Sequence, residues 1–249
     1  MIGMLIFIKR GNIMHIIESY KNLNKKELVI LFSSLFLIIA SFILFKNKNY
    51  LTLIASLIGA NALIFVAKGD VLGQILTIIF SLFYGYISYE YKYYGELITY
   101  LGMSAPIAFI SAIIWIKNPY SKLEVKTSDL NIKKGIILFI SAIIITITFY
   151  FILNYLNTTN LLISSISVFT SFLAVSLMML RSKYYALAYA MNDIILIIMW
   201  ILASFDNISY VPMVVCFVIF LVNDTYGFIN WNILEKKQKE NKNEKSIND

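Results

Sequence analysis

Eight apolar blocks, each long enough to cross a bilayer, divide this chain of 249 residues. They fall at about 28–45, 51–67, 71–91, 95–116, 135–156, 161–180, 184–204 and 209–231. A hydrocarbon core of about 30 Å takes roughly 20 consecutive apolar residues as a helix. Within it each backbone amide must be satisfied inside the segment, which a helix achieves and an open strand does not. The blocks lack the period-two alternation of a membrane barrel. The fold class is therefore an all-α polytopic membrane protein with about eight transmembrane helices. Hydrophobic residues make up 59% of the chain, which excludes a soluble domain.

The loops set the orientation. Lys9, Arg10, Lys21, Lys25 and Lys26 precede the first block, and Lys68 follows the second. Lys117, Lys122, Lys126, Lys133 and Lys134 follow the fourth, Arg181 and Lys183 the sixth, and Lys236, Lys237, Lys239, Lys242 and Lys245 close the chain. Only Lys46, Lys48 and Lys92 fall on the other side. Basic loops stay in the cytoplasm, so the pattern predicts an even number of spans with both termini cytoplasmic. The formal net charge of +7 is explained by this topology, and no nucleic-acid partner is expected. The first apolar run follows a basic stretch without a small-residue cleavage site, and is expected to be a retained helix.

A shift of about 115 positions lays spans two to four over spans six to eight, with Trp115 on Trp231 and Tyr94 on Tyr210. The predicted organisation is 1+3+1+3. A cytoplasmic or interfacial segment 1–27 precedes an extra helix 28–45 and a first three-helix bundle 50–116. A basic loop 117–134, a linker helix 135–156, a second bundle 160–231 and a charged tail 232–249 complete the chain. The two three-helix repeats are expected to be related by an axis along the membrane normal, with a substrate site between them. The tail lacks apolar periodicity and is expected to fray. Residues 12–22 carry a weak signal for an interfacial helix.

Polar groups at bilayer depth are the functional candidates, because a carboxylate there costs roughly 2.5–3.5 kcal/mol on insertion scales. Asn192-Asp193 and Asn223-Asp224 are such sites. Helical spacing puts Asn223, Tyr226, Gly227 and Asn230 on one face, and Tyr185, Tyr189, Asp193 and Trp200 on another. Gln74, Thr77, Ser81 and Tyr84 form a stripe in span three, and Tyr100, Ser104, Ser111 and Trp115 one in span four. Stacking rings beside amides and a carboxylate suit a flat ligand with hydroxyls, such as a nucleoside. Small-residue stripes also mediate helix packing, and Tyr or Trp at span ends also form interface belts. Pro106, mid-span, is a candidate hinge, with Trp200 and Gly227 as candidate gate residues. The one histidine, His15, has no partner motif and is expected at a surface or interface. Cys216 is the only cysteine. No metal or cofactor site and no catalytic constellation follow, so an enzyme is not expected.

The run from Asn223 to Trp231, with Asn192–Trp200, Tyr84-Gly-Tyr and Tyr94-Gly-Glu96, resembles the PnuC family of vitamin transporters over about residues 50–235. That resemblance implies a SWEET-like architecture, often homotrimeric. It implies uptake of nicotinamide riboside, an NAD precursor, by facilitated diffusion, with trapping by a separate cytoplasmic kinase. Asp193 falls where the family has an Asn or Asp in its substrate site. The Trp-x-x-Trp pair of many members is replaced by Ala186 and Tyr189, which leaves thiamine or riboflavin as alternative cargo. The substrate-binding set expected is Gln74, Tyr185, Tyr189, Asn192, Asp193, Asn223, Tyr226 and Asn230, with the small-molecule substrate and the lipid bilayer as partners.

Overall fold

A computed structural model of the chain describes residues 13–45 and 49–248. Lys9, Arg10, Lys46, Lys48 and the side chain of Lys245, used in the charge count, lie outside the described residues. After a short helix α1 (Ile13–Lys21), the spans are α2 (Lys25–Leu44), α3 (Tyr50–Ala67), α4 (Val71–Glu90), a composite fourth span, α7 (Ile132–Tyr155), α8 (Leu161–Met179), α9 (Tyr184–Asp206) and α10 (Val211–Asn248). The fourth span joins α5 (Tyr94–Ile98), a π-helical turn (Thr99–Ser104) and α6 (Ala105–Lys117). Eight helices among the described residues are long and apolar enough to cross a membrane.

Local chemistry explains the boundaries. α2 starts three residues earlier than the apolar run suggests because Asn24 and Glu27 form a capping box. Asn24 Oδ1 accepts from the Glu27 amide at 3.0 Å, and the Glu27 carboxylate accepts from the Asn24 amide at 2.7 Å. Asp70 caps α4 by accepting from the Leu72 amide at 2.9 Å. The α3–α4 turn closes through Gly69 at φ +70°, where a Cβ would be strained. The α8–α9 turn uses the same left-handed closure at Arg181, φ 58°. Pro106 has no amide hydrogen to offer, and the turn before it widens: the Ala105 N–H reaches the Tyr100 carbonyl, five residues back.

The seam of the molecule lies between α3, α4 and the fourth span on one side and α8, α9 and α10 on the other. α3 packs on α10, and the fourth span packs on α8. α2 lies against α3 and α10. α7 packs mainly on α8 and buries only Ala142 and Leu153. Ile145 and Phe149 pack against Met103, Leu153 and Val168, while Ile136, Ile137, Phe139, Ile140, Ile144, Ile147 and Phe151 are exposed, as a lipid-facing helix requires.

Two expectations are corrected. The tail does not fray: α10 continues to Asn248, and Glu235 and Gln238 are buried. Gln238 receives the Thr127 amide at 2.8 Å and donates to the Val125 carbonyl at 3.0 Å, so the loop supplies the partners that local composition lacks. His15 is also not at a surface: it is 8% exposed and its ring lies 3.5 Å from Ser19 Oγ.

Candidate functional site

Along the seam, midway through the bundle, lies a hollow of about 50 Å³. α3 contributes Gly59, Ala62, Leu63 and Val66; α4 contributes Thr77, Phe80 and Ser81. Tyr100 and Ser104 come from the widened π turn and Met178 from α8. Tyr185, Tyr189 and Asp193 come from α9, and Phe220 and Asp224 from α10. Both halves therefore build the wall. Gly59 allows the close approach, since a Cβ there would meet the Phe220 ring at 2.4 Å.

The wall has unused polar capacity. Ser81 Oγ, the Tyr189 hydroxyl and Asp193 Oδ2 are buried without a hydrogen-bond partner. A buried polar atom left unpaired is costly, and these three are free to take up hydrogen bonds from a molecule inside the hollow. The Asp193 and Asp224 carboxyls, both buried, border the same hollow. No Lys, Arg or His lines the hollow. The volume admits a few waters and falls short of the roughly 300–1,000 Å³ of ligand pockets. This conformation is closed.

Aromatic side chains shut both ends. Toward the face away from the termini, Trp200 Nε1 donates to the Tyr84 hydroxyl at 2.8 Å. The Trp200 ring packs edge-on against Tyr91, Tyr93 and Tyr210, with centroids 5.0, 5.6 and 6.3 Å away. Toward the termini, Trp115 and Trp231 lie 5.6 Å apart, and Tyr185 packs 5.0 Å from Trp231. Trp231 Nε1 donates to the Val66 carbonyl at 2.9 Å and Trp115 Nε1 to the Met178 carbonyl at 3.3 Å. Each indole thus grips the backbone of the opposite half.

The structure brings only part of the expected set to the hollow. Tyr185, Tyr189 and Asp193 border it. Asn192, next to Asp193, points to α8, where the hydroxyls of Ser167, Thr170 and Ser171 lie 3.1, 2.8 and 3.0 Å from Oδ1. Asn223 donates to Ser34 Oγ of α2 at 3.2 Å. The Tyr226 hydroxyl donates to Glu27 at 3.0 Å, and Glu27 is paired with Lys68 at 2.9 Å. Asn230 donates to the Ala67 carbonyl at 2.8 Å. These α10 residues do share a face, but that face meets α2 and α3. Gln74 is fully buried with both amide atoms unpartnered, away from the hollow's lining. Pro106 follows the π turn, Trp200 sits in the closure away from the termini, and Gly227 gives room to the Tyr185 hydroxyl, 3.2 Å from its would-be Cβ.

Asp224 was absent from the expected binding set although the cost of a buried carboxylate applies to it as well as to Asp193. Phe80 and Phe220 carried no signal, being indistinguishable in sequence from lipid-facing rings. Glu96, fully buried, was legible by the same rule as the aspartates.

Comparisons with known proteins agree with this architecture. A family model described as nicotinamide mononucleotide transporter matches residues 49–233. The nicotinamide riboside transporter PnuC of Neisseria mucosa is 27% identical over 199 residues, covering 78% of this chain and 76% of that protein. The nicotinamide riboside transporter PnuC of Haemophilus influenzae is 23% identical over 192 residues, covering 76% and 82%. The crystal structure of the vitamin B3 transporter PnuC matches with a TM-score of 0.77 at 26% identity, covering 87% of this chain and 94% of that one.

Proposed function

The chain belongs to the nicotinamide mononucleotide transporter family, and from that premise we propose that it carries nicotinamide riboside across the membrane by facilitated diffusion. The observation that carries the choice of cargo is the lining of the hollow: three tyrosines, two carboxyls and no basic residue. A pyridinium nucleoside offers a ring to stack, hydroxyls for the unpaired Ser81 and Tyr189 oxygens, and a positive charge for the carboxyls. A mononucleotide adds a phosphate, which two carboxyls with no cation repel.

In this reading Tyr185 and Tyr189 stack on the ring, and Asp193 holds the cation. Asn192 acts through Asp193, by tying that turn of α9 to α8. Asn223, Tyr226 and Asn230 shape the second wall from behind. The aromatic closures open alternately, because a nucleoside does not fit the present hollow. The ligand can bias that equilibrium only by binding the two states unequally. The proposal includes both termini in the cytoplasm of an inner-membrane carrier, and removal of free substrate by a separate kinase. It also includes two repeats about an axis along the membrane normal. Tyr84 with Trp200 and Trp115 with Trp231 support the repeats, since each touching pair is 116 positions apart.

The test is uptake of labelled nicotinamide riboside into proteoliposomes, with the mononucleotide, thiamine and riboflavin as competitors. Uptake resisted by excess mononucleotide and lost in Asp193→Ala is expected. Uptake blocked only by thiamine or riboflavin would replace the cargo. Full uptake by Asp193→Ala would remove the central residue.

A further inference from the structure

Two spaces on either side of the Trp200 closure differ in what they admit. The hollow between the halves holds about 50 Å³, too little for a nucleoside. The vestibule outside the closure holds about 730 Å³, within the roughly 300–1,000 Å³ of small-molecule sites. Its lining comes from the ends of both halves. Glu90, Tyr91, Lys92 and Tyr93 follow one another at the α4–α5 turn, and Asp206 and Tyr210 flank the α9–α10 turn. The α7–α8 loop adds polar side chains.

The charges and rings of this lining are not consumed by the fold. Glu90, Lys92 and Asp206 are exposed, and none of them forms an ion pair among the described residues. Two carboxylates against one ammonium leave the lining negative by one charge. Tyr91 and Tyr210 meet edge to face with centroids 4.8 Å apart, and both are half-buried, so each leaves ring surface open to the vestibule. A ring face beside a carboxylate is the chemistry that holds a flat organic cation. Tyr91, Tyr93 and Tyr210 also pack on Trp200.

We propose that the vestibule is a second binding site for the cargo, a docking site occupied while the hollow is shut. The inference rests on the cargo assigned above, since a pyridinium nucleoside carries both the positive charge and the flat ring that this lining selects. Asp206 and Glu90 attract the charge, and Tyr91 and Tyr210 take the ring. The phosphate of a mononucleotide meets the same two carboxylates and is disfavoured here as it is in the hollow. Docking raises the local concentration of cargo at the closure and leaves the equilibrium across the membrane where it was. A seated nucleoside touches the rings that hold Trp200, so the latch and the docking site share contacts.

Ligand-detected NMR titration of the full chain in detergent, with nicotinamide riboside as the probe, tests this. Asp193→Ala removes the site in the hollow and is expected to leave a weaker, saturable signal. In that background the residual binding should weaken about threefold with Asp206→Asn and about tenfold with Asp206→Lys. It should also weaken as salt rises from about 0.05 to 0.5 M, because exposed charges are screened. Should Asp193→Ala not fold, Asp206→Lys alone is expected to remove the weaker of two binding components. Loss of all binding in folded Asp193→Ala, a single component in the wild-type protein, or residual binding indifferent to Asp206→Lys would each overturn the docking site and leave the cargo standing. A wild-type protein that binds no nicotinamide riboside would overturn the cargo, and the docking site with it.

Discussion

The two closures of the hollow use the same residue types and hold them differently. At the end away from the termini the bonds run through phenol hydroxyls. Trp200 donates to Tyr84, and Tyr93 donates to the Met199 carbonyl at 3.3 Å. A hydroxyl moves with its ring, and a ring can turn without moving its helix. At the end near the termini, two indoles donate straight to main-chain carbonyls at the ends of α3 and α8. Those acceptors move only when the helices do. Outside the first closure lies an open vestibule of about 730 Å³, bordered by Tyr91, Tyr93, Tyr210 and Asp206. The second is backed by the α10 extension and its loop. The comparison teaches that similar rings make one closure a side-chain latch and the other a helix-to-helix clamp.

The largest expected effect breaks the clamp. Trp231→Ala removes a fully buried ring and orphans the Val66 carbonyl, and should cost about 3–5 kcal/mol, seen as a lower melting temperature in detergent. An unchanged melting temperature would mean the clamp does not hold the halves together. Next, Gly59→Ala drives a Cβ into Phe220. Overpacking of this kind costs about 1–3 kcal/mol and should slow uptake, because both closures share that seam. Normal uptake by this variant would show that the seam yields.

A smaller effect separates latch from clamp. Tyr84→Phe leaves the Trp200 N–H without its acceptor, a penalty of about 1–3 kcal/mol on the closed state. Cys216 is the only cysteine and is buried, so maleimide labelling reports opening. The rate should rise about tenfold in Tyr84→Phe and stay unchanged in Trp115→Phe. Equal acceleration by both would show that the closures open together.

The smallest effect concerns the brace beneath the clamp. Its hydrogen bond from Lys239, 2.7 Å long, holds the Asp129 carboxyl below the usual 3.8. A lowered carboxyl contributes stability that is complete above its unfolded value and is lost as pH falls through the folded one. A spin label at Lys242 should therefore gain mobility below about pH 4 and show none of that gain between about pH 5 and 8. Mobility independent of acid would remove this ion pair from the brace.

Particular residues show how far the chain could be read. Run length alone marks eight spans, because hydrocarbon thickness sets helix length. The price of a carboxylate in lipid singled out Asp193, and it does border the hollow. Helical periodicity grouped Asn223, Tyr226 and Asn230 correctly on one face, yet it says nothing about the neighbour that face meets. Here the neighbours are Ser34, Glu27 and Ala67. Asp224, one residue on from Asn223, turns about 100° around the helix and reaches the hollow instead. The order of the tail escapes local reading for the same reason: Gln238 is polar on a polar helix, and its partners are more than a hundred residues away.

The sequence by itself determined the number of spans, the helical class and the chemistry of the polar residues, because bilayer thickness and desolvation act on each segment separately. Only the tertiary structure decided which carboxyls border the hollow, which tyrosines face it and how each end is shut. Those outcomes depend on helix rotation and on partners distant along the chain, and no local periodicity records either.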